Sequence, residues 1–164
     1  MRLALYQPDI PQNTGTLLRL SACLSVPVDI IEPCGFTFTA RELRRSLMDY
    51  AELAEFIRHD SWQSFLDHYR SNLSQPDKKR LVLLTTRADC AYTDFQFEAD
   101  DILLLGRESA GVPDEVHDVV DRKVLIPMHP AARSINVAVA GAMVLGEAIR
   151  QTGHDPKQFS STDA

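Results

Sequence analysis

Two stretches, LVLLT at Leu81–Thr85 and ILLL at Ile102–Leu105, carry a single polar residue between them, Thr85. A strand with one wet face alternates apolar and polar side chains. One covered on both faces reads as an unbroken apolar run. These two runs are therefore expected to be interior strands of a parallel sheet packed between helices. Parallel neighbours need long crossovers, so the rest of the chain must supply helices between strands.

The remaining sequence fits that demand. Arg2–Tyr6 reads as a short apolar strand, followed by the loop QPDIPQNTG, whose Asn13 and Thr14 are candidate helix N-caps. Leu17, Leu18, Leu20, Ser21 and Leu24 mark a helix that must stop near Val26-Pro27, and Val28–Ile31 is a second strand. Thr39-Ala40-Arg41-Glu42 has the spacing of a capping box, continued by Leu43, Leu47 and Tyr50. The segment ELAEFIRHDSW fits either a helix or, at Glu55–Arg58, a short strand. Ser61 then caps a helix that uses Trp62, Phe65, Leu66 and Tyr69. Pro113 suits the first position of a helix over Asp114–Val120. Val124–Ile126 is expected to be the last strand and Ser134–Gln151 the last helix, before a polar tail after Gly153. Strands alternating with helices give an α/β, doubly wound sheet in one domain.

A chain of 164 residues can bury one such core, and 45% hydrophobic against 24% charged residues is the balance of a soluble globular domain. No apolar run is as long as a membrane span, and Met1 is not followed by a basic-then-apolar leader. Three widely spaced cysteines without a CxxC pair point away from disulfides and zinc, and toward a reducing cytoplasm. The five histidines have no metal-ligand spacing, so no metal is expected. A net charge of −6 counts against gripping nucleic acid through the overall field. Local basic groups remain, however: Arg41, Arg44 and Arg45, and Lys78-Lys79-Arg80.

Ligands of open parallel sheets bind beyond the carboxyl ends of the strands. Three loops qualify: LLTTRAD (83–89), LLLGRESAGVP (103–113) and IPMHPAARSIN (126–136). The middle loop has the paired glycines of a phosphate loop, but Val112-Pro113 stand where Lys and Ser/Thr are required. No GxGxxG follows the first strand, and Ser109 lies in no GxSxG context. Dinucleotide, P-loop and serine-hydrolase chemistry thus lack their signatures. The third loop is longer and more polar than a strand-to-helix turn needs, which marks it as the candidate ligand cradle.

With these loops in view the chain resembles the SPOUT methyltransferases, and among them the small TrmL-like family of tRNA wobble-position ribose 2′-O-methyltransferases. The resemblance spans residues 1–153 and rests on YQPDIPQNTGTLLRLSAC, IIEPCGF, LRRSLMDY, LLTTRA, LLLGRESAGVP and IPMHPAARSINVAVAGA, all in family order. It implies a parallel sheet with helices on both faces and a C-terminal trefoil knot whose loops bind S-adenosylmethionine in a bent shape. It also implies a cytoplasmic homodimer that acts on the tRNA anticodon stem-loop. Carried onto this sequence, the cofactor residues are Leu84, Thr85, Gly106, Ile126, Met128, Ser134 and Asn136. Arg19 matches the N-terminal catalytic arginine and Arg133 lies beside the cofactor loop. Arg41, Arg44 and Arg45 are candidates to hold RNA phosphates. The small residues Ala138, Ala140, Gly141 and Ala142 suit close helix packing, either internally or against a partner subunit. Arg107 departs from the proline that family members often carry after the loop glycine, and Ala110 from an arginine or similar polar residue. A 2′-O-methyltransferase of another tRNA or rRNA site, and a non-catalytic RNA-binding module, are the competing readings.

Overall fold

The computed structural model describes residues 1–37, 50, 52–71 and 79–154. Its strands are β1 (Arg2–Tyr6), β2 (Val28–Ile31), β3 (Phe56–His59), β4 (Leu81–Leu84), β5 (Ile102–Leu105) and β6 (Arg122–Val124). The described helices are α1 (Pro11–Cys23), α2 (Trp62–Ser71), α3 (Asp114–Val119) and α4 (Val137–Thr152). The strands form one sheet in the order β3-β2-β1-β5-β4-β6, with every neighbouring pair parallel.

The apolar runs explain themselves in this sheet. Leu103 and Leu105 of β5 join Leu3, Leu5, Val28, Ile30 and Val82 in a core with Leu17 and Leu18 of α1 and Val144 and Leu145 of α4. Ile102 and Leu104 point the other way, into a second core with Ala4, Tyr6, Leu81 and Leu83, Phe65 and Leu66 of α2, and Val116 of α3. Strands β4 and β5 are thus apolar at every position because successive side chains serve opposite cores.

Several boundaries differ from the sequence expectation. Helix α1 begins at Pro11 with Ile10 at the N-cap, and no side chain caps it. The missing N–H and fixed φ of Pro11 suit that first helical position, which leaves Asn13 and Thr14 inside the helix, free for other bonds. The ambiguous segment is the strand β3, one residue later than Glu55–Arg58. Ser61 caps α2 as expected, accepting from the Ser64 N–H at 3.1 Å. Pro113, with ψ of 164°, is the extended N-cap of α3 rather than its first helical residue. The last strand ends where it was expected to start. As the edge strand it has one neighbour, β4, so Arg122 and Lys123 reach water without breaking the ladder. Helix α4 starts at Val137, not at Ser134: Asn136 alone caps it, accepting from the N–H groups of Ala138 and Val139 at 2.9 and 3.2 Å. The expected capping box at Thr39–Glu42 and the tail beyond His154 lie outside the described residues.

From β6 at the sheet edge the chain passes the ends of β4 and β5 and returns as α4, which packs on β5 and α1 near the middle. Gly141 makes that approach possible, because a Cβ there would stand 2.8 Å from Leu105 and 2.9 Å from Leu17. Ala138 and Ala140 are buried on the same side. The small-residue face is therefore internal at these positions, while Ala142 is exposed on the opposite face.

Candidate active site at the sheet switch point

The strand order reverses its direction of growth between β1 and β5, and crevices of this kind are where doubly wound sheets bind ligands. A cavity of about 510 Å³ opens there. Its wall comes from the turn after β1, from the end of β4 through Arg87, from the loop after β5, and from the segment joining β6 to α4. All seven residues that the resemblance sets against the cofactor line it, namely Leu84, Thr85, Gly106, Ile126, Met128, Ser134 and Asn136, and so does Arg133.

The loop after β5 is held in a tight shape. The backbones of Arg107 and Gly111 exchange two hydrogen bonds of 2.9 Å, and Gly111 has φ of +67°. A Cβ on Gly106 would lie 2.7 Å from the carbonyl carbon of Gly111. Glycine is needed at Gly106 so that the loop can close on itself beside the cavity.

A polar network then fastens this loop to the other walls. Glu108 accepts from the Asp9 N–H at 2.8 Å and from Asn13 Nδ2 at 3.0 Å. Asn13 in turn accepts from Asn136 Nδ2 at 3.0 Å, the same Asn136 whose oxygen caps α4. Asp9 takes two donors from Arg107, at 2.8 and 3.2 Å, and is also bonded by the backbone and hydroxyl of Ser109. Those side-chain bonds hold the Asp9 carboxylate below its ordinary pKa, and Asp9 raises that of Arg107. Segments about a hundred residues apart in sequence are thus locked into one rim. Sequence reasoning missed Asp9, Asn13 and Glu108 as parts of the site. The available signal was Glu108 itself, a carboxylate inside a glycine loop at a strand end where a ligand is expected.

Arg19 is placed elsewhere. It lies on the exposed side of α1, with its guanidinium carbon 4.8 Å from the centre of the Tyr50 ring, and it does not line the cavity. Arg41, Arg44 and Arg45 fall outside the described residues. In the second basic cluster, Arg80 is committed to the protein, bonded to both oxygens of buried Asp101 at 2.8 Å and paired with Glu98. No described helix is long and apolar enough to cross a membrane.

Comparison with known proteins agrees with this fold. The family described as the SpoU rRNA Methylase family matches residues 1–146. A tRNA (cytidine(34)-2′-O)-methyltransferase of Beijerinckia indica subsp. indica is 56% identical over 151 residues, covering 92% of this chain and 91% of the relative. A solved structure reported as giving insight into 2-OH methylation of C/U34 on tRNA superposes with a TM-score of 0.82 at 36% identity, covering 92% of this chain and 94% of the other. The SpoU methyltransferase AviRb from Streptomyces viridochromogenes, solved with the cofactor AdoMet, gives 0.83 at 26% identity, covering 92% of this chain and 60% of that one. The chain belongs to the SpoU methylase family, on its TrmL-like branch.

Proposed function

We propose that this protein transfers the methyl group of S-adenosylmethionine to the ribose 2′-hydroxyl of the wobble nucleotide of tRNA, position 34, where the base is cytidine or a modified uridine. Residues 1–153 form the methyltransferase domain, residues 154–164 a polar tail, and the enzyme is a cytoplasmic homodimer whose C-terminal segment is threaded as a trefoil knot. The observation that carries the reading is the convergence of Leu84, Thr85, Gly106, Ile126, Met128, Ser134, Asn136 and Arg133 on one cavity at the switch point.

The cavity fits the cofactor. About 510 Å³ lies inside the range of roughly 300–1,000 Å³ usual for small-molecule sites. Leu84, Leu105, Ile126 and Met128 offer apolar surface for a base, while Thr85, Ser134 and loop backbone offer hydrogen-bonding groups. Bound there, S-adenosylmethionine supplies a methyl group already made electrophilic by its sulfonium, so the protein's task is alignment and proton removal. Arg133, exposed on the cavity wall, is positioned to grip the phosphate next to the target ribose with paired donors and to stabilise the developing alkoxide. A guanidinium stays protonated, so the hydroxyl proton passes to that phosphate or to water.

Arg19 stands outside the cavity of its own chain and serves that of the second subunit. Support for a second subunit comes from α4, whose outer face shows Val139 (52% exposed), Ala142, Met143 (37%) and Gly146 at helical spacing, a stripe suited to a partner. Arg41, Arg44 and Arg45 hold the anticodon-stem phosphates, which makes tRNA binding strongly salt-dependent.

The test is transfer of labelled methyl to tRNA from cells lacking the enzyme, followed by mapping of the modified nucleotide. Label at the 2′-oxygen of nucleotide 34 is the expected result. Label at another tRNA or rRNA position would move the target, and binding without transfer would leave an RNA-binding module. Arg19→Ala should abolish transfer while cofactor binding persists. Mixed dimers of Arg19→Ala with a cofactor-site variant should regain part of the activity.

A further inference from the structure

His117 is 6% exposed and lines the cavity from α3, yet among the described residues no hydrogen bond or ion pair reaches its ring. Its nitrogens are not cut off from solvent, since among the described residues the buried side-chain polar atom without a partner is Ser21 Oγ, so the imidazole keeps its hydrogen-bonding capacity for whatever enters the cavity. A lone histidine in a sequence is most often a satisfied structural residue, as His59 is here through its 2.8 Å bond to Asp29. His117 lacks that kind of partner.

Its surroundings are built rather than accidental. Helix α3 is tied to the loop after β4 by Arg87, which donates to Asp114 at 2.8 Å. The adjacent Val116 is fully buried against the β4 side of the sheet, in one core with Leu83 and Val112. The ring thus stands in the wall that also contains Leu83, Leu84 and Thr85. Burial first, then Arg87 and Lys123, hold its pKa below the ordinary histidine value, with Asp114 and Asp118 opposing. A neutral imidazole offers one donor and one acceptor nitrogen.

We propose that His117 is a ligand-binding residue whose ring nitrogen hydrogen-bonds a polar group on the nucleoside half of the bound S-adenosyl compound. This rests on the cofactor reading of the cavity, in which Leu84, in the same wall, offers apolar surface for the base. It adds a histidine contact to a pocket whose other hydrogen-bonding groups are Thr85, Ser134 and loop backbone. A ring nitrogen then gains a partner only in the complex, so the bond adds to ligand affinity without adding to the stability of the free protein.

Calorimetric titration of the whole chain with S-adenosylhomocysteine and with 5′-methylthioadenosine, which has the nucleoside but no amino acid, tests this. Wild type should bind both. His117→Leu should weaken both by about five- to tenfold, the worth of one net hydrogen bond. Its ligand-free melting temperature should be little changed, since the ring makes no hydrogen bond within the free protein. His117→Asn and His117→Gln place an amide near one ring nitrogen each, and one of them should restore most of the affinity. Wild-type affinity in His117→Leu would overturn the assignment while leaving the cofactor site intact, and so would failure of both amide variants to rescue. A loss confined to S-adenosylhomocysteine would move the contact to the amino acid and overturn the nucleoside assignment. If wild type binds neither compound, the cofactor reading itself fails and this inference falls with it.

Discussion

Two polar networks in this molecule use the same residue types to different ends. One joins Arg2, Asp29 and His59 beneath α2. Asp29 is 2% exposed and accepts from Arg2 Nε and bonds His59 Nε2, each at 2.8 Å, while the His59 ring meets Phe65 edge-on. The other joins Asp9, Arg107, Ser109, Glu108, Asn13 and Asn136 around the cavity mouth. The first links three neighbouring strands and seals the Asp29–His59 pair from solvent, with Arg2 partly exposed at its end, so it fixes the sheet. The second links loops that have no ladder between them and borders open space, so it fixes the site. Burial decides which property each network controls.

The largest expected effect is on the sealed network. Asp29→Ala leaves His59 and Arg2 without their shared acceptor, and should lower unfolding free energy by about 3 kcal/mol, read as a shift in the urea midpoint. A loss below about 1 kcal/mol would erase the distinction between the networks. At the rim the main loss should be functional. Gly106→Ala forces a Cβ against the Gly111 backbone, so methyl transfer should fall about a hundredfold while the circular dichroism spectrum stays that of the wild type. Glu108→Gln replaces one acceptor oxygen with a donor facing either the Asp9 N–H or Asn13. Transfer should drop about tenfold with a stability cost of about 1 kcal/mol, measured by initial rates and denaturation.

The smallest effect is a titration. The folded pKa of Asp9 is depressed by Arg107 and Ser109, so its contribution to stability is present above the unfolded carboxylate value of about 3.9 and disappears as pH falls through the folded one. Arg107→Ala should raise the carbon-detected titration midpoint of Asp9 toward the ordinary value. It should also destabilise the protein at neutral pH, and that loss should vanish as pH falls through the folded pKa of Asp9. An unmoved midpoint would show that Arg107 does not hold the carboxylate.

How much of this could be read in the sequence follows from how local each signal is. Strands β1, β2 and β5 have the expected bounds because each is short and, but for Arg2 and Asp29, apolar and buried on both faces. Edge strand β6 escaped because solvent tolerates Arg122 and Lys123, while the apolar Val124–Ile126 run leads into the cavity wall. Pro11 outranked Asn13 and Thr14 as the start of α1, for a backbone reason that side-chain capping rules do not weigh. The pocket residues were found through order and resemblance. The rim network was not found, because Asp9–Arg107 and Asn13–Asn136 are pairings across 98 and 123 positions that no periodicity marks. Amphipathic spacing does set Arg19 on the outer side of α1, but not over the Tyr50 ring.

The central claim is that the turns after β4, β5 and β6 form one binding site for an S-adenosyl compound. Backbone amide NMR during titration with S-adenosylhomocysteine tests it most directly. The account predicts saturable shifts concentrated at Leu84, Thr85, Gly106, Ile126, Met128, Ser134 and Asn136, with the signals of Asp29 and His59 unmoved. Shifts absent from those loops, or gathered at the sealed network instead, would contradict it.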